Sequence, residues 1–414
     1  MNQRKIEIMS PAGGMDSLIA AIQGGADAIY FGVEQLNMRA RATMNFKLAD
    51  IEEVANICRK NNIRSYLALN TIIYDHDLSV VKKIIHKAKE AGITAIIAAD
   101  QAVISYAHNA KMEVHISTQV NITNVETIKF YAAFADTVVL ARELSLIQIK
   151  NIVDAIKKEQ IKGPSGKLIA IEIFVHGALC MAVSGKCHLS LHTHNASANR
   201  GACVQNCRRT YTVTDNEDGH TLEIENEYIM STKDLCTIDF IDQVLDTGVS
   251  ILKIEGRGKG PEYVKTVSRC YHEAVDAYLN GTYTKDKMQH WKQQLDTVFN
   301  RGFWSGYYLG QQLGEWTDTS GSKAKTKKVY LGKGSKYYSK IGVAEFKIEN
   351  YQLQLGDKIL IIGPTTGVIE TVVNELHNDS GPTQIVTKGD ICCFKLDTSI
   401  RPSDKLYKLV SETT

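Results

Sequence analysis

A short apolar strand, a polar turn and an amphipathic helix recur about every 25 residues through positions 1–160. No other feature limits the fold so strongly. Strands are expected at 6–9, 28–32, 66–70, 95–99, 113–117, 137–140, 168–174 and 251–255, and helices at 15–24, 49–60, 77–91, 101–109, 124–134, 145–157, 233–247 and 261–280. Each strand is close to continuously apolar, as a parallel strand covered on both faces must be. Eight such units, with no glycine-rich dinucleotide fingerprint after the first strand, point to an α/β fold: a closed (β/α)8 TIM-like barrel rather than an open doubly wound sheet. The barrel is expected over 1–281. A helical, aromatic extension with a basic linker follows over 282–328. From 329 to 414 the period changes to short alternating strands broken by glycine, the pattern of a small all-β barrel.

Barrels of this kind do their chemistry where the strands end, so polar residues at strand C-termini are the first candidates. They are Asn70, Asp100, Ser117, Gln119, Arg142, Glu143, Glu172, His176, Lys253, Glu255 and Arg257. Arg39 and Arg41, two apart on the loop after the second strand, could grip a carboxylate together or be solvated loop charges. Arg142 is a charge at a barrel mouth, where it must be paired or used. Glu172 and His176 share a parity that could point both inward. Glu172 could equally sit in an ion pair with Lys253 or Arg142, and His176 could be a core histidine.

The seventh strand runs into the stretch 174–209, which holds four of the nine cysteines, Cys180, Cys187, Cys203 and Cys207, in the spacing C-x6-C-x15-C-x3-C. Thiols at that density suit a metal or cluster better than disulfides in a reducing compartment. The spacing lacks the two tight knuckles of a zinc ribbon, and an iron–sulfur cluster on four thiolates fits it better. His176, His188, His192 and His194 lie near enough to replace a thiolate, and Cys236 is an alternative fourth ligand to Cys207. The cysteine-bearing insertion spans 176–232.

A net charge of +2, with 44% apolar and 23% charged residues, is that of a soluble globular enzyme. No apolar run approaches the roughly 20 residues of a membrane span, and no leader precedes the first strand, so a cytoplasmic location is expected. The lysine-rich linker 322–328 reads as a solvated hinge or as an arm that touches phosphate. Zinc-protease and serine-hydrolase motifs (H-E-x-x-H, G-x-S-x-G) are absent, and no cysteine outside the cluster has a convincing histidine and acid beside it.

The segments MSPAGGMDSLIAAIQGGADAIYFG, MRARATMNF, VLARELSL, IEIFVHGALCMAVSGKC, NRGACVQNCRR, STKDL and LKIEGRGKGPEYV resemble the collagenase-like peptidase family, class U number thirty-two, over nearly the whole barrel. The terminal β segment resembles the extra barrel of one branch, which includes the prephenate-dependent tRNA uridine hydroxylation proteins. That resemblance implies a tRNA-modifying enzyme that hydroxylates the wobble uridine to 5-hydroxyuridine. It further implies a cluster, a 4Fe–4S one, on Cys180, Cys187, Cys203 and either Cys207 or Cys236, and prephenate as the apparent hydroxyl source. The expected partners are tRNA, a small dicarboxylate held by Arg39, Arg41 and Arg142, and a homologous partner subunit, since some relatives work as pairs. Asn70, Gln119 and Arg257 complete the expected substrate contacts, with His176, Glu172 and Glu255 as candidate catalytic groups. Two other readings stand beside it: a peptidase, from the family's historical label, and a non-catalytic iron–sulfur scaffold or maturation partner.

Overall fold

A computed structural model describes residues 6–41, 45–212, 228–310, 313–319 and 321–411. Residues 213–227, part of the expected insertion 176–232, lie outside the described residues, as do 1–5, 42–44, 311–312, 320 and 412–414. The strands are β1 (Glu7–Pro11), β2 (Ala28–Phe31), β3 (Arg64–Leu69), β4 (Ala95–Ala98), β5 (Glu113–Ile116), β6 (Thr137–Val139), β7 (Ala170–Ala178), β8 (Asp234–Cys236), β9 (Ile251–Ile254) and β10 (Phe303–Trp304). β1 to β7 pair in sequence, all parallel. β9 then lies parallel to both β7 and β1, with Phe174 opposite Lys253 and Glu7 opposite Ile251, which closes an eight-stranded parallel barrel. Met9, Tyr30, Tyr66, Ala95, Ile97 and Ile251 pack together as an apolar cluster of the strand cylinder. The opposite strand faces are covered by the intervening helices, each with an apolar stripe at helical spacing. Leu78–Ala91 buries Val81, Ile84, Ile85 and Ala88, and Leu146–Lys158 buries Leu146, Ile149, Ile152 and Val153. Side-chain caps start several of them: Asp100 accepts from the Ala102 amide, and Ser145 and Gln148 form a capping box.

Two features depart from the expected pattern, and both shape the mouth. The segment 233–247, expected as one helix, begins with strand β8, passes through a 3-10 turn at Ile238–Phe240 and becomes α-helical only at Ile241–Asp246. Its apolar spacing suits a helix, but β7 runs four residues past the expected end at Phe174 and offers a free edge. β8 takes that edge antiparallel, with Ala178 opposite Asp234 and His176 opposite Cys236, and β10 pairs with β8 in turn. Strand pairing thus outweighs local propensity. The second departure is a register shift between Phe174 and His176 against β9. A bulge of this kind moves later side chains to the other face of the strand.

The C-terminal domain is all-antiparallel, an eight-stranded sheet with a two-stranded companion and a core of its own that includes Leu331, Phe346, Ile361, Phe394 and Leu406. It is fastened to the barrel. Leu360, Ile362 and Val368 belong to the barrel's hydrophobic core. The Gln23 side chain, on the helix Met15–Gln23, donates to Thr366 O at 2.9 Å and accepts from the Val368 amide at 2.9 Å. Lys323 pairs with Asp318 (2.5 Å) and Lys325 with Asp296 (2.8 Å) within the extension, and Lys328 pairs with Glu262 (2.7 Å) of the last barrel helix, so this stretch is fastened at its end to the barrel rather than a free hinge. In the extension, the helix Lys285–Leu295 and β10 bury Trp291 and Trp304.

Candidate functional site

At the C-terminal ends of the strands a cavity of about 390 Å³ opens, within the size range of small-molecule sites. The segment after β7 folds over it and is tied to the strand-end loops. Arg200 Nη2 donates to Asp77 Oδ1 (3.2 Å), Asn121 Nδ2 to Ser184 O (3.1 Å), and the Arg41 amide to Gly201 O (3.0 Å). Arg208 locks the base of the segment by donating to Leu179 O and Thr232 O, both at 2.6 Å. The result is one cavity with Cys180, Cys187, Cys203 and Cys207 on one side and strand-end residues on the other.

The four thiols share this wall, and the other three are close enough to reinforce burial in raising the Cys207 thiol above its ordinary value. Among the described residues, no three His, Cys, Asp or Glu side chains converge tightly enough to grip a single ion. Four thiols lining one cavity are a donor set that a four-iron cluster, which takes one thiolate per iron, could use. Cys236 is elsewhere: it is buried in β8 against Tyr271 Oη (3.9 Å), and burial pushes its thiol up to about 12. Of the two candidates for fourth ligand, Cys207 is the one on the cavity wall. His188, His192 and His194 are exposed and do not line the cavity.

The lining is strongly cationic: Arg39, Arg142, Lys253, Arg257, Lys259, Arg301 and, beside Cys207, Arg208 all line the cavity, against one carboxylate, Glu255. Burial favours the neutral form of Glu255, but Arg39, at 2.8 Å, together with Arg142 and Arg257, holds its carboxyl down to about 2. It is a fixed anion that orients Arg39 and accepts from Tyr30 Oη (3.1 Å), which makes it unsuited to passing protons near neutrality. Arg142 lies over the Phe174 ring (4.0 Å) and donates through Nη1 to Ala178 O (3.1 Å), and its buried Nε has no hydrogen-bond partner among the described residues. Arg257 is oriented by Asn37 Oδ1 (2.9 Å). Asn70 donates to Gln119 Oε1 (3.0 Å) and Ser117 Oγ (3.3 Å), which groups three polar side chains on the β3 and β5 side of the mouth.

Five expected site residues lie outside the cavity. Glu172, wholly buried, pairs with Lys253 Nζ (2.6 Å) and His115 Nδ1 (3.3 Å). Burial opposes its charge, yet Lys253 and His115 outweigh it and hold the carboxyl below its ordinary range. His176, moved off the mouth by the bulge, packs among Tyr263, Tyr271 and Phe303, and burial followed by the charge of Lys259 pushes its ring down to about 3. It is a neutral core histidine. Arg41 is exposed, because the chain turns on the Asn37 side chain and carbonyl and sends residues 39 and 41 to different sides. Asp100 caps a helix, and Glu143 does not line the cavity.

Sequence reasoning passed over Lys259, Arg301, Arg208 and Tyr30. Lys259 Nζ sits 3.0 Å from the centre of the Phe299 ring, and burial, with Arg301 and Arg39 nearby, lowers its ammonium to about 7. The signal was present in GRGKGPEYV, a lysine between glycines just before a helix with proline at its first turn.

Among known proteins, the chain is 55% identical over 99% of both chains to a Porphyromonas gingivalis protein named collagenase. It is 30% identical to the Bacillus subtilis tRNA hydroxylation protein P1, over 98% of this chain and 95% of that one. It is 35% identical to an Escherichia coli 23S rRNA 5-hydroxycytidine synthase, over 76% of this chain and 47% of that one. The model of peptidase family U32 matches residues 13–318, from the first barrel helix through the cysteine wall and the last strand to the aromatic extension, and the chain belongs to that family.

Proposed function

We propose that the chain hydroxylates the wobble uridine of tRNA to 5-hydroxyuridine, with prephenate as the apparent hydroxyl source and a 4Fe–4S cluster on Cys180, Cys187, Cys203 and Cys207. The observation that carries this reading is the composition of one cavity: four thiols and seven cations line it, and Arg142 forms no ion pair within 4 Å among the described residues. A bound cluster supplies an electron-transfer centre or, if one iron is left open, a Lewis acid. Arg142 and Arg39 bind the carboxylates of the small co-substrate, and Glu255 keeps Arg39 aimed. A wobble uridine is already unpaired, so bringing it into the cavity costs little. The amides of Asn70 and Gln119, bonded to each other in the free protein, supply a donor and an acceptor to a uracil edge once that bond is exchanged. Lys259, whose ammonium burial lowers to about 7, is the group suited to accept a proton there. Relatives named for tRNA and rRNA hydroxylation support RNA as the substrate class, acting in the cytoplasm, where thiols stay reduced.

Nucleoside mass spectrometry of tRNA from a strain lacking the gene and any redundant pathway tests this: 5-hydroxyuridine should vanish and return with the gene. An unchanged profile would refute it. The collagenase-named relative favours a second reading, a peptidase. Against it, the described cysteines outside the wall are Cys58, Cys236, Cys270 and Cys392, with thiols pushed to about 12 by burial, and the partly exposed Cys393, also raised. None of them has a histidine oriented by an acid beside it. Turnover of denatured collagen by iron-free protein would revive the peptidase reading.

A further inference from the structure

The C-terminal sheet carries three lysines side by side across its middle. The strands Val343–Ile348, Thr326–Tyr338 and Lys405–Ser411 are hydrogen-bonded neighbours, and their register sets Lys347 opposite Lys333 and Lys333 opposite Lys405. All three side chains are exposed. Like charges directly opposite one another weaken a sheet. Lysines are common on edge strands, where they block pairing with another chain, but these three strands are interior to the sheet, flanked by Lys358–Gly363 on one side and Ile391–Lys395 on the other. Edge protection therefore does not account for the row. Lys333 pairs with Glu349 (3.1 Å), a carboxylate shared with Tyr330 Oη, while Lys347 and Lys405 form no ion pair among the described residues.

The row is also tied to the site. Lys333 shares a strand with Lys328, about 17 Å along it at roughly 3.3 Å per residue, and Lys328 grips Glu262 in the first turn of the helix that follows cavity-lining Lys259. Gln23, Lys265 and the shared core hold the two domains together, so this separation is set by the fold. Across the row the backbones span about 10 Å, two strand spacings, a reach that takes in a few successive phosphates.

The geometry points to this lysine row as a docking surface for the phosphate backbone of RNA, which holds the strand flanking a nucleotide in the cavity. The inference rests on the RNA reading above and adds where the RNA lies. Flexible ammonium groups in a regular row suit a repeating phosphate chain, which asks for charge at intervals rather than a fixed bidentate geometry.

The test uses the full-length, iron-loaded chain and a labelled anticodon stem-loop RNA, with fluorescence anisotropy read between about 0.05 and 0.3 M salt. The variant K333Q/K347Q/K405Q should lower the slope of log affinity against log salt by about two to three, at ~0.7–0.9 for each phosphate that is no longer neutralised. Its affinity at 0.1 M salt should fall about 100- to 500-fold, converging on wild type near 1 M. A control, K60Q/K111Q/K158Q, at the far end of the barrel, should leave slope and affinity unchanged. A row variant with wild-type slope and affinity overturns the inference, as does a control that weakens as much. Wild-type protein that ignores the RNA but binds polyglutamate through the row would refute the RNA reading itself, a distinct outcome from RNA binding that survives removal of the row.

Discussion

Lys253→Met would strip the cation from a charge group buried between the barrel interior and the floor of the cavity. Glu172 is fully buried and Lys253 is 6% exposed at its side chain, so neither can turn to water when its partner is removed. Removing one member of a buried pair costs about 3–5 kcal/mol. Lys253 also lies over the Tyr30 ring at 4.5 Å, an attraction that methionine cannot replace. For a barrel of this size the destabilisation corresponds to a melting point on the order of 5–10 °C lower. The pH dependence sharpens the test. In the variant the Glu172 carboxylate depends on a protonated His115, whose ring the flanking Glu113 and Glu172 already raise against the opposing effect of burial. The folded variant then binds more protons than the unfolded chain above the ordinary histidine value near ~6.5, so its stability falls as pH rises. Urea unfolding at pH 6 and pH 8.5 should show the gap to wild type widening with pH. The double variant Glu172→Leu/Lys253→Met, with both charges gone, should recover at least half of the lost stability. A single variant within ~1 kcal/mol of wild type, or a gap that narrows as pH rises, would show that the three groups are not coupled as the structure has them.

Further outcomes are expected from the site and the domain contact. Arg142→Ala should weaken binding of a small dicarboxylate by about 10- to 100-fold, the equivalent of one or two charge-assisted hydrogen bonds, and leave RNA affinity within ~2-fold; calorimetry with each ligand separates the two. Cys207→Ser should abolish iron uptake on anaerobic reconstitution, whereas Cys236→Ser should keep full iron and lose only about 1–2 kcal/mol of stability, because a hydroxyl replaces a buried thiol. Lys259→Met should remove the rise in activity through pH ~7 that the wild-type amine imposes as it loses its proton; a profile with the same inflection in the variant would assign it to another group. Gly367→Ala, at φ +68° and with a Cβ that would meet Ile19 Cγ2 and Gln23 Oε1 at 2.6 Å, should loosen the seat of the C-terminal domain by about 1–3 kcal/mol. Limited proteolysis between the domains would report it.

Much of this was readable from the chain because periodicity and burial act locally. Apolar strand runs such as Ala95–Ala98 and helices such as Gln101–Asn109 need only their own residues to declare themselves, and the closed parallel barrel follows from their alternation. The Glu172–Lys253 pair was one of the alternatives that parity allowed. What escaped depended on distant partners. Residues 234–236 carry helical spacing, yet the free edge of β7 claims them as a strand. His176 has the parity of an inward residue, and a single bulge removes it from the mouth. Arg39 and Arg41 look like a pair until the Asn37 turn separates them. Lys259 draws its altered proton affinity from burial and then from Arg301 and Arg39, none adjacent in sequence, so the glycine-flanked lysine before a helix marks the position but not its proton affinity.

The antiparallel contact between β7 and β8 gives the cysteine wall a narrow neck. Ala178 and Asp234 face each other across one rung of the ladder, so the chain leaves the barrel and returns to it at nearly the same point. Everything between them is an excursion whose closure is already secured, and the cost of closing a loop rises only logarithmically with its length. The excursion can therefore be lengthened, shortened or rebuilt over evolutionary time with little effect on the stability of the barrel beneath it. A family built on this neck can change which substrate its cysteine wall admits while keeping the same cylinder of strands.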